Sequence, residues 1–264
     1  MRTTKTALAA SLLLVAACVS AASECEADSV QGSWRDIDWA AFAFHDIVEL
    51  PQDARVLDLS AAPADGTSYS GIGERSYACR RGVLGRKCRR AQYVVGRYNE
   101  TRPGLYESAL FHDTGNCLEG YCGLRNVHMG LDLGAPVGTA VRAFYGGDIV
   151  HMGFNAALGD TGHTIVTHHV LNGTDLYALH GHLSASSMHF KRIGMALEAG
   201  DTIGWVGDAK DRENGGWPPH LHLQLAMFRP ETHDLPGVVS AADRTRALEA
   251  FPDPQLVLRE RFYA

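Results

Sequence analysis

The sequence predicts a mainly β protein: an antiparallel β-sheet with long loops and short flanking helices. Three observations predict it. From about residue 124 the texture is strand, turn, strand, and helical periodicity is absent. Thr164 to Leu171 and Thr174 to Leu183 are two such runs, separated by Asn172-Gly173. That dipeptide suits a tight hairpin, because both turn residues must adopt positive φ. The 28 glycines fall in short punctuating pairs rather than low-complexity runs, as turns between short strands require.

Taken in order, the chain opens with Arg2 and Lys5, an apolar run from Ala7 to Ala17, and small residues. This is the layout of a secretory signal peptide, and the run is too short for a comfortable membrane-spanning helix. Val19-Ser20-Ala21 offers a cleavage site, giving a leader of residues 1–21. Val15-Ala16-Ala17-Cys18 resembles a bacterial lipobox, in which Cys18 becomes a lipidated first residue. The soluble ending is the expectation, with a membrane partner only if Cys18 is lipidated. Either ending implies export to the periplasm or the extracellular space, where disulfides persist. Cys79 with Cys88 and Cys117 with Cys122 are the simplest local pairs, with Cys25 left over.

Residues 22–105 read as an N-terminal extension without clear chemistry. Within it, Ile37 to Leu50 is apolar enough for a helix, with Asp36 as its cap. Tyr77 to Arg90 is basic and reads as a solvated loop tied by Cys79 and Cys88. Tyr145 to Asp148 and Gly200-Asp201 mark turns. Ala241 to Ala250 reads as a short helix in a C-terminal tail, residues 236–264, that Pro252 and Pro254 break. The 264 residues leave room for one sizeable domain, and the 45% apolar content is that of a globular chain, expected here as a monomer. A net charge of -6 excludes nucleic acid as a partner and weighs against simple adhesion to an anionic cell wall.

Three histidine-bearing segments carry the chemistry. In Asn126 to Leu133, strand alternation would put His128, Gly130 and Asp132 on one face and Val127, Met129, Leu131 and Leu133 on the other. An imidazole and a carboxylate on one face are natural zinc ligands. In Trp217 to Leu225, His220, His222 and Gln224 share one face, with three leucines opposite. In Tyr177 to Ser184, His180 and His182 again share a face. A lone histidine on a strand is usually just a polar residue, and thirteen histidines make chance pairs expected. Three such segments, each with apolar residues on the reverse face, weaken that reading sharply.

These residues carry a resemblance. His128-x-Gly130-x-Asp132 followed by Gly134 to Ala143, then His182-Leu183, Gly200 to Gly207 and His220-Leu221-His222, is similar in order and spacing to the lysostaphin-type zinc metalloendopeptidases. Gly96 to Arg102, Leu179 to Ser184, Asn214 to His220 and Pro252-Asp253-Pro254 also resemble peptidase domains found fused to class III aminotransferases, which often carry Tyr where this chain has His180. The resemblance implies a glycine-rich antiparallel sheet of the duplicated hybrid motif, with a zinc peptidase domain over residues 106–235. It implies His128, Asp132 and His222 as ligands of Zn2+, and His182 and His220 as an unligated catalytic pair. His180, Asn214 and Trp217 are candidates to line the substrate groove. The implied activity is hydrolysis of peptide bonds, with peptidoglycan cross-links as the expected substrate. A non-catalytic zinc-containing binding module, an activator of another hydrolase, and a peptidase for small non-wall peptides stay open as rivals.

Overall fold

The computed structural model describes residues 33–51, 54–61, 79–82, 85–88, 93–210, 212–259 and 261–264, with backbone alone for 79–82 and 85–88. The expected leader, Cys18 and Cys25 lie outside the described residues. In chain order the strands are β1 (Arg55–Val56), β2 (Cys79–Gly82), β3 (Gly85–Cys88), β4 (Val94–Gly96), β5 (Glu100–Thr101), β6 (Val127–His128), β7 (Leu131–Gly134), β8 (Ala140–Arg142) and β9 (Gly147–Asn155). There follow β10 (Gly162–Leu171), β11 (Thr174–Leu183), β12 (Ala196–Leu197), β13 (Thr202–Trp205), β14 (His220–Ala226) and β15 (Val238–Val239). Two short helices, α1 (Ala109–His112) and α2 (Arg244–Ala250), flank them.

The expected mainly β, antiparallel architecture is what the chain adopts. Eight strands form one sheet in the order β1-β4-β7-β14-β11-β10-β9-β12. Its pairings are antiparallel apart from β1 with β4 at one edge. The hairpin β10–β11 forms as predicted: Asn172 and Gly173 take φ of 50° and 80°, the left-handed values a two-residue turn requires. The eight-stranded sheet is apolar on both faces. Leu131, Leu133, Leu221, Leu223, Leu225 and Ile165 belong to one core, while Val166, Tyr177, Leu179 and Ala226 join Val127, Met129 and Phe251 in a second. Register follows from this division. A one-residue slip of β14 would drive His220, His222 and Gln224 into the first core without partners, at about 1–3 kcal/mol for each unsatisfied polar group.

Three expectations change. Ile37 to Leu50 is not a helix. Single 3-10 turns at Trp34–Asp36 and Trp39–Ala41 are followed by an extended strap. The strap exchanges backbone hydrogen bonds with residues 142–144, His45 N–H to Phe144 O and Arg142 N–H to Ile47 O, both 2.8 Å. Its apolar residues pack against the first core instead of forming a helical stripe, with Phe44 edge-on to Phe144 and Phe42 edge-on to Tyr145. Asp36 is not the cap: Ser33 is, and Asp36 closes its capping box. Finally, Val127 to Leu133 is not one strand. β6 pairs with β5 and β15, whereas β7 pairs with β4 and β14. The chain crosses from one sheet to the other at Met129-Gly130.

The predicted helix near the C-terminus forms as α2, and Cys117 is bonded to Cys122. Cys79 and Cys88 are directly opposed across β2 and β3, but their side chains lie outside the described residues. No described helix is long and apolar enough to cross a membrane.

Candidate metal centre and active site

Asp132 on β7 stands directly opposite His222 on β14, and Gly96 on β4 stands on the other side of Asp132. His128 reaches the same point from β6. Asp132 Oδ1 is 3.2 Å from both His128 Nε2 and His222 Nδ1, and those two nitrogens are 3.1 Å apart. All three residues are buried, and together they form a group able to hold a metal ion. Donor atoms about 2.0–2.1 Å from a tetrahedral zinc lie about 3.3 Å apart, so this near-equilateral triangle fits three corners of such a site.

The outer contacts fix which atoms face the triangle. The Arg97 carbonyl, 2.8 Å away, accepts from His128 Nδ1 and leaves Nε2 for the centre. Gln224 Oε1, 3.3 Å away, accepts from His222 Nε2 and leaves Nδ1. Gly130 is required for close approach: a Cβ there would sit 2.5 Å from His222 Nε2. Burial, helped by the Arg102 charge, lowers His128 to about 4. Burial opposes ionisation of Asp132, yet His128, Arg102 and two hydrogen bonds outweigh it and hold the carboxyl well below its usual range. His128 is thus neutral and Asp132 ionised at neutral pH, the states in which each ligates metal.

His182 and His220 stand beside the triangle, their ring centres 4.3 Å apart, and His220 Nε2 is 3.6 Å from Asp132 Oδ1. Each Nδ1 donates to a carbonyl, Asn214 O at 2.8 Å for His182 and Pro218 O at 2.6 Å for His220. Each Nε2 is therefore the basic nitrogen. Burial, reinforced by His220 and His222, pushes His182 well below its usual value; burial also lowers His220. Both rings are neutral at neutral pH, each with an unprotonated Nε2.

The expectation that His180 and His182 share a face is corrected. Leu179 and Gly181 lie opposite Gln224 and His222, so His180, opposite Leu223, faces the first core. Simple alternation would carry His182 there too. A β-bulge intervenes, where register shifts between His163 and Ile165, and His182 adopts φ of 60°. Bulges re-aim side chains in this way. Thr161 O accepts from His182 N–H at 2.7 Å and so holds the strained residue. His180 is wholly buried, bonded through Nδ1 to Ile165 O.

A cavity of about 190 Å³ opens over the triangle, lined by His128, Asp132, His182, His220 and His222. Of the three groove candidates, Trp217 lines the cavity, while Asn214 and His180 do not. Asn214 is buried scaffold: its side chain donates to Trp217 O at 2.7 Å and accepts from Gly216 N at 3.0 Å. Leu105, Tyr106, Leu110, Phe111 and Leu118 form an apolar wall, and Leu118 rides on the loop closed by Cys117–Cys122. Asp160, Thr161 and Asp234 give the cavity an acidic side. Burial and the neighbouring Asp160 push Asp234 up to about 7. Sequence reading missed this side, and it missed Arg102 and Tyr106. Arg102 stood in the sequence only as the last residue of the Gly96 to Arg102 resemblance, with nothing to mark its role.

Residues 126–233 match Peptidase family M23. A DD-carboxypeptidase/endopeptidase Mpg of Neisseria meningitidis is 36% identical over 124 residues, covering 47% of this chain and 26% of that protein. Its namesake in Neisseria gonorrhoeae matches to the same extent. The match thus spans about a quarter of the length of these curated relatives. Among solved structures, the catalytic domain of lysostaphin from Staphylococcus simulans is 25% identical with a TM-score of 0.36, covering 55% of this chain and 89% of that one. The His-Asp-His cluster and its two companion histidines all lie within residues 126–233, the stretch that matches Peptidase family M23.

Proposed function

We propose that the protein is an exported zinc-dependent endopeptidase that cleaves peptide bonds, with the peptide cross-links of peptidoglycan as substrate. The observation that carries the reading is the donor triangle of His128 Nε2, Asp132 Oδ1 and His222 Nδ1, with two neutral histidines beside it. Those three atoms would hold the zinc. When bound, zinc lowers the pKa of a coordinated water towards roughly 7 and polarises the scissile carbonyl. The chain's own residues supply the rest. His182 and His220 take and return a proton at Nε2, their orientation fixed by the Asn214 and Pro218 carbonyls. The wall of Tyr106, Phe111, Leu118 and Trp217 excludes bulk water from one side.

The peptidoglycan substrate is supported by the Mpg relatives, described as DD-carboxypeptidase/endopeptidase, and by the leader-like residues 1–21. Digestion of purified peptidoglycan tests the proposal, with mass spectrometry of the released fragments. Zinc-loaded protein should release peptide-cleaved fragments, chelation should stop it, and added zinc should restore it. Cleavage of soluble peptides alone would point instead to the small-peptide reading that the aminotransferase-linked resemblance favours. No cleavage of either would sink the enzymatic reading.

A further inference from the structure

We propose that Arg102 is a positioning residue for the metal centre: its guanidinium occupies Asp132 Oδ2, so that Oδ1 alone is presented to the metal. The inference rests on the zinc reading of His128, Asp132 and His222. Arg102 lies outside the 126–233 match, at the end of the short strand β5. It is 1% exposed. Its Nη1 donates to Asp132 Oδ2 at 2.8 Å and to Tyr106 OH at 3.0 Å, Nε to Glu100 Oε2 at 3.0 Å, and Nη2 to Arg97 O at 3.1 Å. Four bonds from three nitrogens fix the plane of the fork. The space it fills exists because residue 96 is glycine: a Cβ there would lie 2.9 Å from Arg102 Nη2 and 2.8 Å from Asp132 Oδ2.

The two oxygens of Asp132 are thereby divided. Oδ1 faces both imidazoles at 3.2 Å, and Oδ2 faces the guanidinium. A carboxylate without that partner is free to turn and offer both oxygens to a cation. The Arg97 carbonyl adds a second link, since it accepts from Arg102 Nη2 and also from His128 Nδ1. Arg102 thus touches one ligand directly and a second through one shared atom. A stabilising role alone does not account for the arrangement. A buried ion triad such as Glu100–Arg102–Asp132 is in general matched or bettered in stability by apolar residues of similar volume. What an apolar replacement could not do is hold a carboxylate oxygen.

Two variants test this: Arg102→Gln, and Glu100→Gln with Arg102→Gln. The double variant removes the Glu100 and Arg102 charges together, which guards against misfolding from a Glu100 carboxylate left buried without its partner. The amide introduced by Glu100→Gln can still accept from the Leu59 N–H that Glu100 Oε1 now holds at 2.9 Å. The readouts are zinc affinity, by competition with a chromophoric chelator, and the visible absorption of the Co2+-substituted protein. One zinc per parent chain is the precondition, and its absence would fell the zinc reading itself, not the role of Arg102. The expected result for a folded variant is zinc bound about 10- to 100-fold more weakly, the usual cost of losing an outer contact to a ligand. The cobalt bands should weaken as well, because a second carboxylate oxygen raises the coordination number. A folded variant with parental affinity and an unchanged cobalt spectrum would overturn the proposal, even if its thermal stability had fallen.

Discussion

Gly130→Ala isolates the steric condition on which the centre depends. A methyl group at residue 130 would lie 2.5 Å from His222 Nε2 and 2.9 Å from Nδ1. Unstrained non-bonded contacts are about 3.5 Å or more, so the ring must retreat by about 1 Å. Metal–ligand distances tolerate only about 0.2 Å. The methyl should therefore remove His222 as a ligand, and zinc binding should fall by more than the roughly 100-fold that changes in outer contacts cost. Overpacking should lower stability by about 1–3 kcal/mol even without metal. Gly181→Ala is the control, since a methyl there meets Leu179, His222 Cβ and Thr161 at 3.4–3.6 Å, ordinary contact distances. Isothermal titration with zinc and chemical denaturation of the metal-free forms give both quantities. Gly130→Ala protein that binds zinc like the parent would refute the reasoning.

Three further perturbations have definite outcomes. His182→Ala should keep zinc and lose about a hundredfold or more in turnover, whereas His222→Ala should lose both; metal analysis beside a peptidase assay separates them, and full activity in His182→Ala would remove that residue from the mechanism. Asp234 is raised to about 7, so the native state retains a proton that the unfolded chain releases near pH 4. Stability should then fall as pH rises from about 4 to 7, by up to about 1.4 kcal/mol per pH unit. In Asp234→Asn the melting-temperature advantage over the parent should grow across that window and level off above it, and a pH-independent difference would refute the assignment. His180→Phe replaces a buried ring whose Nε2 has no partner among the described residues by an apolar one, so stability should change by less than about 1.5 kcal/mol and turnover should stay parental. A tenfold loss of turnover would place His180 in the site after all.

The parts of the site legible in the sequence are those carried by undisturbed alternation. His220, His222 and Gln224 share a face because three leucines demand the other. The spacing from His128 to Asp132 brought both to one point even though the chain changes sheets between them. At His182, where alternation is broken, the expectation of a face shared with His180 failed. His182 joins His220 only through a bulge and a left-handed backbone, and no residue type near it announces either. The aromatic strap at Phe42 and Phe44 mimicked a helix because apolar composition without strict period is common to both. Arg102 escaped because its partner Asp132 is thirty positions away in sequence, across the segment that holds α1 and the Cys117–Cys122 loop.

Anomalous diffraction at the zinc edge, from crystals of zinc-loaded and catalytically active protein, tests the central claim most directly. One strong peak per chain is expected, about 2.0–2.2 Å from His128 Nε2, Asp132 Oδ1 and His222 Nδ1, with His182 and His220 unligated. An active preparation whose peak lay elsewhere, or was absent from that triangle, would contradict it.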